Sequence, residues 1–321
     1  MHKKSFLIFI TFFVFVNTCL EAQQTQTPAF KVIPLGVRGG LDESNLSAYL
    51  VAAGGTNDYI CLDAGTLHQG IEKAIDGHLF TGTVDDVLKH HIKGYCISHG
   101  HLDHLSGLIL NSPNDSSKYI YALPSVIKVL QEKYFTWQGW ANFTNEGDKP
   151  ALGKYKYVYL EPGKDTILHH TGLRVKAFSL SHGNPYESTA FLISNQENFL
   201  LYLGDTGADE IEQSDKLKKL WMAVAPLLKN NCLKAIFIEV SFPNEIPDKA
   251  LFGHLTPRLL MKEMEVLNTL SEGNVQHTRI YITHRKPCAD CEERIQQQLE
   301  EENKLKLQLV YPQQGVLTTV Y

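Results

Sequence analysis

Cysteine, methionine and tryptophan are scarce in this chain, at six, four and three of 321 residues. Six cysteines without dense spacing cannot frame a fold of this length, so a disulfide scaffold is excluded. No repeat of fixed short period is present. Positive charge is not in excess either. Thirty basic residues face 35 acidic ones for a formal charge of −5, a balance that does not invite nucleic acid. Beyond Val16 no apolar run approaches the roughly 20 residues that a spanning helix needs. What remains is 43% hydrophobic and 20% charged, the composition of a globular protein able to bury a large core.

The amino terminus departs from that average. Met1-His2-Lys3-Lys4 is basic, Ser5 to Val16 is almost wholly apolar, and Ala22 precedes polar Gln23-Gln24-Thr25. This is the layout of a secretory signal peptide over 1–22, leaving 23–321 as a single domain. The expected location is therefore the periplasm or the extracellular space. Cys19 as a lipid-modified anchor is the alternative, although Asn17 and Thr18 are poor matches to the small residues that precede such sites. Cleavage after Ala22 would remove Lys3, Lys4 and Glu21, leaving 28 basic against 34 acidic residues and a formal charge of −6. Of the five cysteines then left, Cys61 and Cys96 sit in apolar strand-like runs. Cys288-Ala-Asp-Cys291 lacks the second pair of a structural metal site and reads as a local disulfide or two free thiols.

Short β-rich runs recur from Phe30 to Leu35, Ser47 to Ala52, Tyr59 to Leu62, Gly94 to Ile97 and Tyr119 to Ala122. A second set follows at Lys156 to Leu160, Leu173 to Ser179, Thr189 to Ser194, Phe199 to Leu203, Ala235 to Glu239 and Arg279 to Thr283. Helical patterns fall at Pro124 to Lys133, Asp215 to Leu228, Pro257 to Leu270 and Asp290 to Glu301. Two similar halves of this kind predict an α/β fold, two mixed sheets face to face with helices outside, in four layers. Tyr134 to Pro150 is aromatic and then rich in Asn, Gly and Asp, and reads as an inserted loop and candidate lid.

The chemistry concentrates in His99-Gly-His101-Leu-Asp103-His104. Tyr95 to Ser98 before it resembles a buried strand and Leu105 to Leu110 after it a helix, so the segment caps a strand's carboxyl end, where α/β sheets commonly bind ligands. His99 and His101, two residues apart in extended chain, project to one side, and Asp103 and His104 can turn toward a neighbouring ion. Three imidazoles and a carboxylate near a core are costly without a partner, and a cation supplies one. Such ligands suit zinc, manganese or iron. The bland alternative is a solvated histidine-rich turn.

The pattern His99-x-His101-x-Asp103-His104 resembles the metal-binding motif of the metallo-β-lactamase superfamily, and the downstream pieces follow in that family's order. Leu180-Ser-His182-Gly is similar to its third-histidine segment, Tyr202-Leu-Gly-Asp205-Thr to its bridging aspartate, and Tyr281-Ile-Thr-His284 to its last histidine. Taken singly, His182 and His284 read as ordinary loop histidines. The resemblance implies a metallo-β-lactamase-like αββα sandwich holding two divalent ions, zinc first, with manganese or iron as alternatives. His99, His101 and His182 would hold one ion, Asp103, His104 and His284 the other, and Asp205 would bridge. Ions about 3.5 to 4 Å apart can together activate water and stabilise the entering and leaving oxygens.

The longer run His99-Gly-His-Leu-Asp-His-Leu-Ser-Gly-Leu-Ile-Leu-Asn-Ser-Pro113 is similar to the extended motif of class II 3′,5′-cyclic-nucleotide phosphodiesterases. That resemblance implies hydrolysis of cyclic AMP or cyclic GMP to the 5′-monophosphate, with a small-molecule nucleotide as partner and oligomeric state open. Glu239 at a strand end and His254 before Thr256-Pro257 resemble the phosphodiesterase branch of the superfamily. There such a histidine donates a proton to the leaving oxygen, and the helix start at Pro257 would favour a phosphate. A solvated strand end and a loop histidine are the plain alternatives.

Asp103 joins Glu239 and His254 as a catalytic candidate. Gly39-Gly40 and Asn45 lie in the first loop, where the resemblance implies contact with substrate and turn chemistry explains them equally well. Asp63 before Ala-Gly reads as a group that orients a ligand, or as a turn aspartate. Tyr134, Phe135, Trp137, Trp140 and Phe143 could stack on a nucleobase or form the loop's own core. The rival functions are a lactonase or β-lactamase on the same metals, a tRNA-processing nuclease, and a metal-binding protein without catalysis.

Overall fold

The structure, a computed structural model, describes residues 27–321. The leader through Ala22 and the alternative lipid site at Cys19 lie outside the described residues. Among those described, no helix is long and apolar enough to cross a membrane.

Two seven-stranded sheets pack face to face. The first holds β1 (Phe30–Gly36), β2 (Ala48–Ala53), β3 (Tyr59–Leu62), β4 (Ile92–Cys96), β5 (Lys118–Ala122), β6 (Tyr155–Tyr159) and, from the chain's end, β14 (Thr318–Val320). The second holds β7 (Asp165–Leu168), β8 (Leu173–Ser181), β9 (Glu187–Asn195), β10 (Asn198–Leu203), β11 (Leu233–Glu239), β12 (Arg279–Thr283) and β13 (Gln308–Val310). Their orders are β14-β1-β2-β3-β4-β5-β6 and β13-β12-β11-β10-β9-β8-β7. In each sheet the pairs joined by tight turns are antiparallel, and those reached through helical crossovers are parallel, from β3 to β6 and from β10 to β13.

The helices are α1 (His68–Asp76), the single turn α2 (Val84–Asp86), α3 (Leu102–Asn111), α4 (Pro124–Val129), the single turn α5 (Asp209–Glu212), α6 (Lys216–Lys229), α7 (Pro257–Leu270) and α8 (Cys291–Glu302). Strand alternation decides what they cover. Leu200, Tyr202, Phe237 and Tyr281 join the core between the sheets, while Leu201, Leu203, Ile236, Ile238, Ile280 and Ile282 face the opposite way, among Trp221, Leu259 and Ile295 of α6, α7 and α8. With α1, α3 and α4 against the first sheet, this is the predicted four-layer αββα sandwich. An aromatic column ties the sheets together: Tyr49 lies 5.6 Å from Tyr202 and 5.7 Å from Phe237, which stacks on Tyr281 at 4.3 Å between ring centroids.

Several elements depart from the sequence reading. Strands β7, β13 and β14 were not anticipated; they are three or four residues long and lie at or near sheet edges, too short for an alternation to register. Helix α1 was missed because Gly70 interrupts its pattern, and contact explains the glycine. A Cβ there would stand 2.2 Å from the Leu35 carbonyl oxygen of β1. Helix α3 starts at Leu102 rather than Leu105, so Asp103 and His104 occupy its first turn. The aromatic loop packs onto the first sheet's core, with Trp137 left exposed. Phe135 is buried, Trp140 Nε1 donates to Ser112 Oγ (3.0 Å), and Trp140 and Phe143 rest on the first sheet's core.

Candidate active site

Strand ends assemble the site. His99 and His101 follow β4, His182 follows β8, Asp205 follows β10, Glu239 ends β11 and His284 follows β12. Because β8, β10, β11 and β12 run in the same direction, their carboxyl ends open on one edge of the sandwich. Asp103 and His104 reach the same edge from the start of α3, and His254 reaches it from the loop before α7.

The seven expected ligands fall into two donor groups, His99–His101–His182 and Asp103–His104–Asp205–His284, the atoms within each lying within 4.8 Å of one another. Asp205 stands between the groups. Its Oδ2 is 3.8 Å from His99 Nε2, 3.7 Å from His182 Nε2 and 3.2 Å from His284 Nε2, and its Oδ1 is 3.2 Å from His104 Nε2. On the outer side His182 Nε2 is 3.2 Å from His101 Nδ1, and on the inner side His104 Nε2 is 3.0 Å from His284 Nε2.

The surrounding hydrogen bonds fix which ring nitrogen four of the five expected ligand histidines present. Asp63 Oδ2 accepts from His104 Nδ1 (2.8 Å), Ser98 Oγ (2.8 Å) and Tyr202 OH (2.7 Å), and its Oδ1 accepts from the Ser98 N–H (2.7 Å). Ser98 Oγ, its proton spent on Asp63, accepts from His99 Nδ1 at 3.0 Å. The Gly253 carbonyl accepts from His182 Nδ1 at 2.8 Å. Ser241 Oγ donates to Glu239 Oε2 (2.6 Å) and accepts from His284 Nδ1 (2.9 Å). In each case the bonded Nδ1 leaves Nε2 aimed at the cluster, the arrangement that ligating histidines require.

These residues fit metal ions. His99 Nε2 is buried without a hydrogen-bond partner, a cost that a cation would remove. Burial, reinforced by neighbouring imidazoles, lowers the pKa of His99 and brings that of His101 to about 4, so both carry free lone pairs. Burial also opposes charge on His104, but Asp205 and Asp63 outweigh it and raise its pKa. The proton held there is one that ligation would displace.

A third grouping, Asp205, Glu239, His254 and His284, is already satisfied internally. Glu239 Oε1 accepts from His254 Nδ1 (2.8 Å) and the Thr206 N–H (2.9 Å), and Oε2 from Ser241 Oγ and the Leu255 N–H (3.2 Å). Glu239, expected as a catalytic group, is thus fully occupied in positioning His254 and Ser241. Burial opposes charge on His254 as well, but Glu239 overcomes it and holds the imidazole's pKa above its ordinary value.

The first loop divides between the two roles considered for it. A Cβ on Gly39 would overlap the His284 ring at 2.2 Å, so only glycine lets the loop close over that ligand. Gly40 has φ of 59° and borders Asp103. Asn45 commits its Oδ1 to the turn, accepting from the Val37 N–H at 3.0 Å, as the turn reading of this loop expects.

A family model described as "cAMP phosphodiesterases class-II" matches residues 83–315. The chain belongs to that family. A 3′,5′-cyclic-nucleotide phosphodiesterase of Aliivibrio fischeri is 40% identical, covering 93% of this chain and 96% of that protein. A probable 3′,5′-cyclic-nucleotide phosphodiesterase of Yersinia pestis is 37% identical, covering 90% and 89%. In fold, this class II chain superposes on the crystal structure of unliganded yeast PDE1 with a TM-score of 0.79 at 24% identity, covering 91% of this chain and 99% of that one. A metallo-β-lactamase fold protein, YhfI of Bacillus subtilis, superposes at 0.60 with 15% identity, covering 91% and 99%.

Other residues of the class II site carry no sequence signal. Ser98 and Ser241 relay tautomer control, yet serine is common at strand ends. Tyr186 stacks on His101 at 4.9 Å and 9°, its hydroxyl accepting from the Gly100 N–H (3.1 Å). Buried Glu212 shapes the His182 turn by accepting from the Gly183 and Asn184 N–H groups, each at 3.0 Å.

Proposed function

We propose that this chain hydrolyses the 3′,5′-cyclic phosphodiester of cyclic AMP or cyclic GMP to the nucleoside 5′-monophosphate at a two-metal centre. The observation that carries the reading is the convergence of two histidine-rich donor groups on Asp205. His99, His101, His182 and Asp205 would hold one divalent cation, and Asp103, His104, His284 and Asp205 the other. Two such cations, zinc by the donor set with manganese or iron as alternatives, would lower the pKa of water and offset charge building on the phosphate.

The chain's own groups supply the rest. Asp63, Ser98, Ser241 and the Gly253 carbonyl hold four imidazoles with Nε2 inward, so the site is organised before substrate arrives. As oxygen from water bonds to phosphorus, the bond from phosphorus to the 3′ oxygen breaks, and that oxygen needs a proton. His254 can provide it: Glu239 fixes Nδ1–H, leaving Nε2 to pass a proton outward.

The test is hydrolysis of cyclic AMP and cyclic GMP by metal-loaded protein beside a chelated sample, with a β-lactam as control. Chelator-sensitive release of 5′-monophosphate is expected. Cleavage of the β-lactam with cyclic nucleotides untouched would contradict the reading.

The chain is also proposed to be exported, with cleavage after Ala22. The bond between Cys288 and Cys291 supports an oxidising compartment. Mass measurement of the protein recovered outside the cytoplasm should give a chain beginning at Gln23; a chain beginning at Met1, or at a lipid-bearing Cys19, would contradict this.

A further inference from the structure

Anionic groups crowd the site: Asp63, Asp103, Asp205 and Glu239 all contribute to its hydrogen bonds. An approaching phosphodiester adds another negative charge, so the cations nearby matter. Two of them are already committed. Arg38 pairs with Asp42 at 2.8 Å and with Glu292 at 2.7 Å, and Arg285 pairs with Glu292 at 3.1 Å.

Lys286 differs. It is half-buried, two residues after His284, and its ammonium has no ion-pair or hydrogen-bond partner among the described residues. The backbone beneath it is held, since the Lys286 N–H donates to the Ser241 carbonyl (3.3 Å) and the Cys288–Cys291 disulfide closes the following turn. Nζ stands 5.5 Å from the centroid of the Phe242 ring, and that ring meets His254 edge-on at 5.7 Å. On the other side is Gly40. A Cβ built there would be 3.8 Å from Lys286 Nζ and 3.8 Å from Asp103 Oδ2. The missing side chain therefore leaves a gap with a cation on one wall and a ligand carboxylate on the other.

We propose that Lys286 binds a non-bridging phosphate oxygen of the substrate in the gap beside Gly40, from outside the two-metal centre. The inference rests on the phosphodiesterase reading and adds a substrate-binding residue to it. An ammonium suits the task, because three rotatable donors on a flexible stem can follow an oxygen as phosphorus changes geometry. The Phe242 ring restrains the ammonium without neutralising it.

Calorimetric titration of inorganic phosphate into zinc-loaded wild type, Lys286→Gln and Lys286→Arg tests this apart from turnover. Lys286→Gln should weaken phosphate binding between about ten- and a hundredfold, the scale of one hydrogen bond to a charged group, and Lys286→Arg should stay within about threefold of wild type. Lys286→Met, which keeps an apolar stem against Phe242, should behave like the Gln variant and guards against a packing artefact. For cyclic AMP the loss should fall on KM more than on kcat. Equal phosphate affinity in wild type and both neutral variants, or no phosphate binding by wild type, would overturn the proposal. Weakened phosphate binding in the neutral variants of a protein that leaves both cyclic AMP and cyclic GMP intact would overturn the nucleotide reading and keep the Lys286 contact.

Discussion

At the scale of single residues, the site depends on which nitrogen each imidazole offers, and Asp63 controls this most widely. It bonds His104 directly and reaches His99 through Ser98. Asn at position 63 would turn an amide N–H toward donors that need an acceptor, leaving at least one of them unpaired. Asp63→Asn should therefore lower metal affinity by about 10- to 100-fold with the fold retained, measured by competition with a calibrated chelator. Unchanged metal retention would show that His104 holds its orientation without Asp63. This residue stood in the sequence as either an orienting group or a turn aspartate, and it is both: φ is 53° and the carboxylate is fully engaged. The sequence could not decide, because its partners Tyr202 and His104 are 139 and 41 positions away.

At the scale of elements, strand ends deliver the chemistry and buried polar ties keep the strands in place. Asp115, just beyond α3, accepts from Tyr95 OH of β4 (2.7 Å) and Tyr155 OH of β6 (2.8 Å) and pairs with Lys118 of β5. One carboxylate thereby joins three neighbouring strands, the first of which leads into His99. Removing its charge strands a buried ammonium, since Lys118 is only 4% exposed. Asp115→Asn should cost about 3 to 5 kcal/mol, read as a lower urea midpoint with an unchanged slope. A midpoint within error of wild type would mean that Lys118 finds water or sheds its proton at little cost. The central strands were legible because continuous apolar runs mark strands buried on both faces. Strands β7, β13 and β14 were not, being too short and too polar to display a period, and α1 was hidden by the glycine that lets it approach β1.

At the scale of the molecule, two sheets of matching order bring residues from 99 to 284 to one edge, so the centre exists only when both halves are folded together. The expected ligand positions could be read ahead of the structure because four of them fall within the six residues His99 to His104, soon after an apolar strand, and each of the other three follows a strand of its own. Ser98, Ser241, Tyr186 and Lys286 could not be, since their roles arise from packing across sheets. Glu239 was a catalytic candidate in the sequence, and its four hydrogen bonds, two of them to His254 and Ser241, show the part it takes in positioning those side chains. The claim on which the rest stands is that Asp205 joins two metal sites. Elemental analysis of wild type and Asp205→Ala, paired with cyclic AMP turnover, tests it most directly. Wild type should hold about two divalent ions per chain, with fewer retained and turnover abolished in a folded Asp205→Ala. An Asp205→Ala protein that keeps both ions and hydrolyses cyclic AMP at the wild-type rate would contradict it.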